Sequence, residues 1–329
     1  MKFGFDTDGA WLSPNDHIES AILAEKLGYD SVWIGDHFLP WFDSEAQAPA
    51  AWPWLGAALA RTSTIKVGPG VTVPIGGRYH PLLVGQAAAT LDNMFPGRFL
   101  LGVGTGQAMS EERFMGKWPE WKERGERLSE ALQLIRKLWT ERDYFDWHGT
   151  YFSASKLYLY TKPSGYIDIY VSARGRSAAR IAGSLGDHLM TPLSDASKIK
   201  SEVIPEFDSA MAKSGRDPSR AKKASYFTIG IGDVDELVRM LRQSAGAAGL
   251  IDAARAEMDP RKIQEMSSKA PRDSLVQHHH LVRKAEDLVE PVQSMADAGC
   301  NYVIFNDESR RPAASLRAIA EEVIPHIRG

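Results

Sequence analysis

Short apolar segments rich in β-branched residues alternate along the chain with longer segments whose apolar residues recur at helical spacing. This alternation is typical of repeated strand–helix units around a parallel sheet. Segments such as 14–27 and 120–140 have the spacing of amphipathic helices. Eight segments predict strands: 2–6, 30–35, 65–73, 97–103, 167–172, 187–191, 225–231 and 301–305. Eight strands alternating with helices predict an α/β fold, a (β/α)8 TIM barrel.

Two segments exceed the loop length of about 2 to 6 residues that usually joins such elements. Residues 143–160 contain Trp147-His148-Gly149-Thr150 between aromatic runs and predict a hairpin. Residues 244–284 predict a helical insertion before the last unit. With no linker or low-complexity tract, we expect one barrel domain over 1–329. The pattern leaves open whether 244–284 covers the site or forms an oligomer interface.

Charge and cysteine content narrow the function classes. The 39 Lys and Arg against 42 Asp and Glu give a formal net charge of -3, so we expect neither a nucleic-acid nor a membrane partner. No uncharged stretch approaches the roughly 20 residues needed to span a bilayer. An acidic residue at position 6 comes too early for a signal peptide. The single cysteine, Cys300, cannot form an internal disulfide; we expect a buried inert thiol in a cytoplasmic protein.

The active site of such a barrel lies at the carboxyl ends of its strands. After the second predicted strand comes Asp36-His37-Phe38-Leu39-Pro40-Trp41. His37 can accept a proton near neutral pH, and Trp41 can form an apolar wall or stack on a flat ring. His37 could instead only hydrogen-bond a neighbouring loop. We interpret it as catalytic because it follows a strand and an acidic residue.

Three further segments lie at the same predicted mouth. The glycines at 102, 104 and 106 would let the backbone approach something planar or anionic, although the nucleotide fingerprint is incomplete. At Arg174-Gly175-Arg176-Ser177 the chain should enter a helix, whose N-terminal N–H groups and two guanidinium groups suit a phosphate. The segment 68–74 ends the third strand.

Other chemistry-bearing residues have plainer interpretations. Trp52 and Trp54 lie on a predicted helix and are expected in the core. The run His278-His279-His280 resembles a metal cluster, but consecutive side chains point in different directions and no carboxylate at ligand spacing accompanies them. We expect no metal site.

Together, several motifs resemble the luciferase-like superfamily, and within it the branch that uses the deazaflavin coenzyme F420, the glucose-6-phosphate and secondary alcohol dehydrogenases. The resemblance is almost end to end and is weakest at 192–285. The motifs are Asp36-His37-Phe38-Leu39-Pro40-Trp41, residues 51–59, Arg78-Tyr79-His80-Pro81, residues 96–106, and Tyr160-Thr161-Lys162-Pro163.

The resemblance implies a luciferase-like barrel, a homodimer, and hydride transfer at carbon 5 of the deazaflavin ring to or from an alcohol or carbonyl substrate. It implies that His37 takes the hydroxyl proton while Trp41 orients the substrate. The residues implied to hold the ring and its phosphate-bearing tail are Asp36, Gly70, Val71, Gly104, Thr105, Gly106, Gln107, Ala173, Arg174 and Gly175.

The chain departs from the branch at its acids. Gln107 stands where the dehydrogenases place a glutamate, and its amide cannot exchange a proton in that role. A second family glutamate is replaced by Ala10 or Trp11. Glu111 matches a family acid and could compensate, as could Asp6 or Asp8. Glu111 and Gln107 complete the predicted catalytic set.

In the resemblance, the positions at which the sugar-phosphate branch places lysine and arginine correspond to Asp195, Ala254 and His279 in this chain. On that basis a sugar phosphate is not expected as substrate. Three alternatives stay open: an FMN-dependent monooxygenase or reductase, an F420-dependent reductase or epimerase acting on a C=C bond, an imine or a carbinol, and a non-catalytic barrel that binds coenzyme.

Overall fold

The computed structural model describes residues 1–7, 10–244 and 257–328. Eight parallel strands form a barrel, and a separate antiparallel hairpin lies outside it. The strands are β1 (Lys2–Asp6), β2 (Ser31–Ile34), β3 (Lys66–Pro69), β4 (Leu101–Val103), β5 (Phe145–His148), β6 (Ser153–Leu157), β7 (Ile169–Ser172), β8 (His188–Thr191), β9 (Lys223–Ile231), β10 (His280–Val282) and β11 (Tyr302–Asp307).

The barrel strands follow the order β3-β2-β1-β11-β9-β8-β7-β4. Parallel bridges between Val67 and Phe99, and between Thr72 and Val103, close the ring between β3 and β4. Each of the eight predicted strand segments carries one of these strands, so the predicted barrel is confirmed. All eight carboxyl ends therefore meet at one mouth.

One predicted strand and the predicted helical insertion need correction. The third predicted segment, 65–73, forms a strand only as far as Pro69, and the Gly70–Val71 peptide bond after it is cis. The predicted helical insertion 244–284 ends in strand β10, which pairs in parallel with Ile229–Ile231 of β9. Residues 245–256 of that insertion lie outside the described residues. A three-residue strand carries too little alternation to be recognised without its partner.

Helices cover the outside of the barrel. They are α1 (Pro14–Lys26), α2 (Ala51–Arg61), α3 (Pro81–Met94), α4 (Ala108–Met115), α5 (Trp121–Thr140), α6 (Arg176–Leu185), α7 (Ala196–Lys198), α8 (Ile204–Lys213), α9 (Val234–Gln243), α10 (Pro260–Ser268), α11 (Arg272–His278), α12 (Val289–Asp297), α13 (Pro312–Glu322) and α14 (Ile324–Arg328), with a π-helical turn at Ile199–Val203 and 3-10 turns at Pro218–Arg220 and Ala285–Leu288. Ser13 begins α1 with a capping box to Asp16, followed by proline at the first helical position. Within the described residues, no helix is long and apolar enough to cross a membrane.

Large side chains fill the barrel interior below the mouth. Trp33, which is fully buried, packs there with Tyr170 and Tyr302. Glycine is required at Gly102, because a Cβ there would lie 2.1 Å from the carbonyl oxygen of Pro69. The lower barrel is therefore a packed core.

The predicted hairpin is formed by β5 and β6. The carboxylate of Glu130 on α5 accepts hydrogen bonds from the N–H groups of Thr150, Tyr151 and Phe152 at 3.0, 2.9 and 2.9 Å. These bonds fix the hairpin against the outer face of the helix.

Candidate active site at the barrel mouth

The segments after β2, β3 and β4 meet at the mouth, as predicted. Thr72 Oγ1 donates to Asp36 Oδ2 at 2.7 Å, which joins the β2 and β3 loops. The N–H of Gly104 donates to the carbonyl oxygen of Thr72 at 3.1 Å, which joins the β3 and β4 loops. A Cβ on Gly104 would lie 2.7 Å from Val71 Cγ2. The β3 and β4 loops therefore lie closer together at Gly104 than a residue with a side chain at that position would allow.

His37 and Trp41 form a ring pair on the β2 loop. Their ring centroids lie 5.8 Å apart, with the planes at 66°. Both residues are partly exposed, whereas Asp36 beside them is buried. Trp41 packs against a small apolar cluster that contains Phe42 and Met109. The indole is thus fixed by packing, and the imidazole is left within reach of solvent or a ligand.

Asp36 lies in a network of polar contacts. Its Oδ1 is 3.0 Å from Arg78 Nη2 and accepts a hydrogen bond from the Tyr79 hydroxyl at 3.2 Å. Arg78 Nη2 also donates to the main-chain carbonyl oxygen of Asp36. Because desolvation and the Asp36 charge both disfavour the phenolate, the pKa of Tyr79 lies well above its ordinary value. The hydroxyl therefore keeps its proton and its hydrogen bond at neutral pH.

Glu111 on α4 is fully buried close to the same guanidinium. Its Oε1 lies 3.7 Å from Arg78 Nη2, too far for a hydrogen bond. Burial raises the pKa of Glu111 to about 7; the Arg78 cation opposes this shift and the negative charge of Asp36 adds to it. A carboxyl group with such a pKa can hold or release a proton near neutral pH.

Gln107 begins α4 with an extended backbone, φ −140°. Its Oε1 is buried and accepts no hydrogen bond from the residues that the structure describes. Gly106, just before it, has φ +74°, a conformation that favours glycine. A Cβ there would lie 2.9 Å from both Val73 and Glu111. The β4 loop thus places one unsatisfied acceptor at the mouth.

The cis peptide Gly70–Val71 lies against the barrel interior. The Tyr226 hydroxyl lies 3.4 Å from the carbonyl oxygen of Gly70. A Cβ at Gly70 would lie 1.7 Å from that hydroxyl oxygen, so a side chain would displace Tyr226. Val71 packs on the interior cluster around Trp33. The β3 loop is therefore supported from below by the filled barrel.

The β7 loop carries the predicted anion site. Ala173 is buried, Gly175 begins α6 without a side-chain cap, and Arg174 is exposed. The second predicted guanidinium has acidic neighbours: Arg176 lies 3.6 Å from Glu206 and 4.0 Å from Glu202. A phosphate site at Arg174 and the N-terminal N–H groups of α6 stays a prediction.

Residues 257–268, the cap segment, reach the β2 loop. Ile263 on α10 is fully buried against Phe42. Gln264 Oε1 accepts from the N–H groups of residues 43 and 44 at 3.1 and 3.3 Å. The cap segment, which is the described part of the insertion nearest the site, therefore packs on the loop that carries His37 and Trp41. Its amphipathic pattern predicted a helix but not this contact.

The remaining predictions have simple outcomes. Trp54 is buried and Trp52 packs against the core, as expected. Cys300 is buried, and desolvation raises the pKa of its thiol to about 12. His280 stacks on Phe227 at 4.0 Å, and burial lowers its pKa to about 4. Among the described residues no group of three or more His, Cys, Asp or Glu side chains could hold a metal ion.

The sequence profile of the luciferase-like monooxygenase family matches residues 3–302. This chain belongs to that family. Its luciferase-like relatives include the F420-dependent glucose-6-phosphate dehydrogenases of Microbacterium testaceum, 32% identical, and Beutenbergia cavernae, 34% identical; each comparison covers 100% of the chain and 98% of the relative. A solved F420-dependent secondary alcohol dehydrogenase in complex with an F420-acetone adduct is 34% identical, with a TM-score of 0.94 over 100% of this chain and 99% of that one.

These luciferase-like relatives confirm the predicted resemblance and its F420-dependent branch. They do not bear out the exclusion of sugar phosphates, because glucose-6-phosphate dehydrogenases match along the whole chain. That exclusion rested on three positions. Asp195 caps α7 by accepting the N–H of Lys198 at 3.1 Å, His279 is buried, and Ala254 lies outside the described residues.

Proposed function

We propose that this protein is an F420-dependent oxidoreductase that transfers hydride between the deazaflavin ring and an alcohol or carbonyl substrate. The observation that carries the proposal is the His37–Trp41 ring pair at the mouth, 5.8 Å between centroids. It occurs in a chain 34% identical over its whole length to an F420-dependent secondary alcohol dehydrogenase. Alcohol oxidation requires a group that accepts the hydroxyl proton, and the His37 imidazole at the mouth is suited to that role.

The residues at the mouth fit the coenzyme. Gln107 Oε1 is a buried acceptor without a partner in the described part of the chain, and a ring N–H would satisfy it. The uncapped N-terminus of α6 after Gly175, together with the exposed cation of Arg174, suits an anionic tail. A Cβ added at Gly175 would meet no atom within 4 Å, so the backbone there is open to a ligand.

The cofactor-binding residues implied by the resemblance are assigned to parts of the coenzyme as follows. Gly70 and Val71 would support one face of the ring, since both rest on the filled barrel interior. Asp36 and the residues Gly104, Thr105, Gly106 and Gln107 would hold its edge, and Ala173, Arg174 and Gly175 would hold the tail.

When bound, the coenzyme supplies ring carbon 5 as the acceptor or donor of hydride. His37 accepts the hydroxyl proton as the carbinol carbon loses hydride, and returns it in the reverse direction. Trp41 forms a wall that orients the substrate, because its indole is held by the apolar cluster around Phe42. Burial raises the pKa of Glu111 to about 7, so this carboxyl can hold or release a proton near neutral pH. Gln107 orients the ring and exchanges no proton.

Loss of the imidazole tests the catalytic assignment. His37→Ala should abolish turnover of 2-propanol and of glucose 6-phosphate while changing the dissociation constant of F420 less than about threefold, since the ring would be held by other residues. His148→Ala on the exposed end of β5 is the matched control and should behave as wild type. Equal loss of turnover and coenzyme affinity in His37→Ala would remove the catalytic assignment.

The protein is further proposed to act as a single-domain homodimer in the cytoplasm. The single buried cysteine supports a reducing compartment, where disulfides are rare. The small net charge of -3 fits a protein with neither a nucleic-acid nor a membrane partner. Sedimentation velocity at micromolar concentration should give one species of twice the chain mass of 36.4 kDa. A species of 36.4 kDa would contradict the dimer.

A further inference from the structure

Arg78 lies between two parts of the mouth that are far apart in sequence. Its side chain is only 10% exposed and comes from the segment between β3 and α3. On one side Nη2 contacts the main-chain carbonyl oxygen and Oδ1 of Asp36, on the β2 loop. On the other side the same nitrogen lies 3.7 Å from Glu111, on α4. One guanidinium therefore joins the loop that carries His37 to the helix that Gln107 begins.

The Arg78 guanidinium also supplies the positive charge that offsets the burial of two carboxyl groups, those of Asp36 and Glu111. The carboxyl groups of Asp36 and Glu111 are both fully buried. Removing the cation would leave two buried acids facing the same space, and a buried carboxylate without a partner is strongly destabilising. The Tyr79 ring lies 4.7 Å from the guanidinium carbon and holds it from one face. The orientation of the cation is thus fixed from three directions.

We propose that Arg78 is a positioning residue for the reaction: it holds the β2 loop against α4 by placing its cation between the buried carboxyl groups of Asp36 and Glu111. The inference rests on the proposed function for its kinetic consequence. Arg78 itself does not contact the reacting atoms in this account; it acts through the main chain of Asp36, which immediately precedes His37.

Three variants separate charge from geometry. Arg78→Met removes the cation, Arg78→Lys keeps it without the planar fork, and Arg78→Met/Glu111→Gln removes the cation together with the second acid. Arg61→Met is the matched control, because Arg61 is exposed on α2 and pairs with exposed Glu19 at 3.3 Å. Each variant is measured for its F420 dissociation constant, kcat, KM and the pH profile of kcat, with 2-propanol and glucose 6-phosphate as substrates.

We expect kcat of Arg78→Met to fall at least tenfold, with a smaller change in KM. The pH at which the buried carboxyl loses its proton should rise by about one unit or more, because the cation lowers the pKa of Glu111. That shift should disappear in Arg78→Met/Glu111→Gln, and Arg78→Lys should recover part of kcat. A purely structural role would lower stability in both single variants without moving the pH profile.

The inference is overturned if folded Arg78→Met keeps the wild-type kcat and pH profile, or if Arg78→Met and Arg78→Lys are equally impaired with unmoved profiles. If the wild type neither binds F420 nor turns over either substrate, the proposed function fails instead. The Arg78 coupling is then decided by the pH dependence of unfolding in the same variants. Identical profiles for wild type and Arg78→Met would refute it, and a profile shifted toward higher pH that Glu111→Gln abolishes would support it.

Discussion

The buried carboxyl of Glu111 leads to a prediction about stability that can be tested without coenzyme or substrate. The carboxyl is fully buried, and its pKa rises from the ordinary 4.5 to about 7 on folding. A raised acid pKa means that the folded protein binds the proton more tightly than the unfolded chain. The folded state therefore loses stability as pH rises from about 4.5 through about 7, and the full loss is present above that range.

The size of the effect follows from the shift. Each pKa unit corresponds to about 1.4 kcal/mol, so the shift to about 7 corresponds to about 3 kcal/mol. Glu111→Gln keeps the shape of the side chain and removes its titration. Between about pH 4.5 and about pH 8, the stability of Glu111→Gln relative to wild type should accordingly grow by about 3 kcal/mol.

Equilibrium urea unfolding followed by tryptophan fluorescence measures this difference at a series of pH values. Glu112→Gln removes the same charge one residue along α4, at a partly exposed position, and is the matched control. It should give a curve nearly parallel to that of wild type. If the Glu111→Gln and wild-type curves are also parallel across the range, the carboxyl titrates as it does in the unfolded chain, and the reasoning about its environment is wrong.

Two further predictions concern packing. Gly102→Ala should destabilise the barrel by about 3 kcal/mol or more, because its Cβ would lie 2.1 Å from a backbone oxygen, whereas Gly165→Ala, with open space around it, should stay within about 0.5 kcal/mol in the same unfolding assay. Gln264→Ala should speed hydrogen exchange at the amides of residues 43 and 44, which lose their acceptor. Unchanged exchange there would mean that the cap segment does not hold the β2 loop in solution.

Much of the fold is predictable from local pattern. The barrel strands are short buried runs bounded by turn residues, and the 143–160 hairpin has its own aromatic alternation, so both can be recognised without tertiary information. Strand β10 cannot, because its three residues, 280–282, form a strand only by pairing with the end of β9. The early end of β3 at Pro69 likewise depends on the backbone packing around Gly102.

The residues of the candidate site also include some that the sequence predicts and some that it does not. His37 and Trp41 were predictable because they directly follow a strand whose carboxyl end must face the mouth. A role for Arg78 is not predictable from the sequence, since it depends on contacts with residues 42 and 33 positions away. Arg176 lies 3.6 Å from Glu206 on α8, an ion pair that could not be predicted from the sequence around the β7 loop. Long-range ion pairing leaves no local signature in the sequence.

The central claim is that the mouth binds a deazaflavin ring beside His37. Titration of the purified protein with F420 and, separately, with FMN tests it most directly, with the absorbance and fluorescence of each compound as the signal. We expect the wild-type protein to bind F420 saturably at micromolar concentration and FMN far more weakly. His37→Ala should retain the F420 binding. Saturable binding of FMN with none of F420 would contradict it.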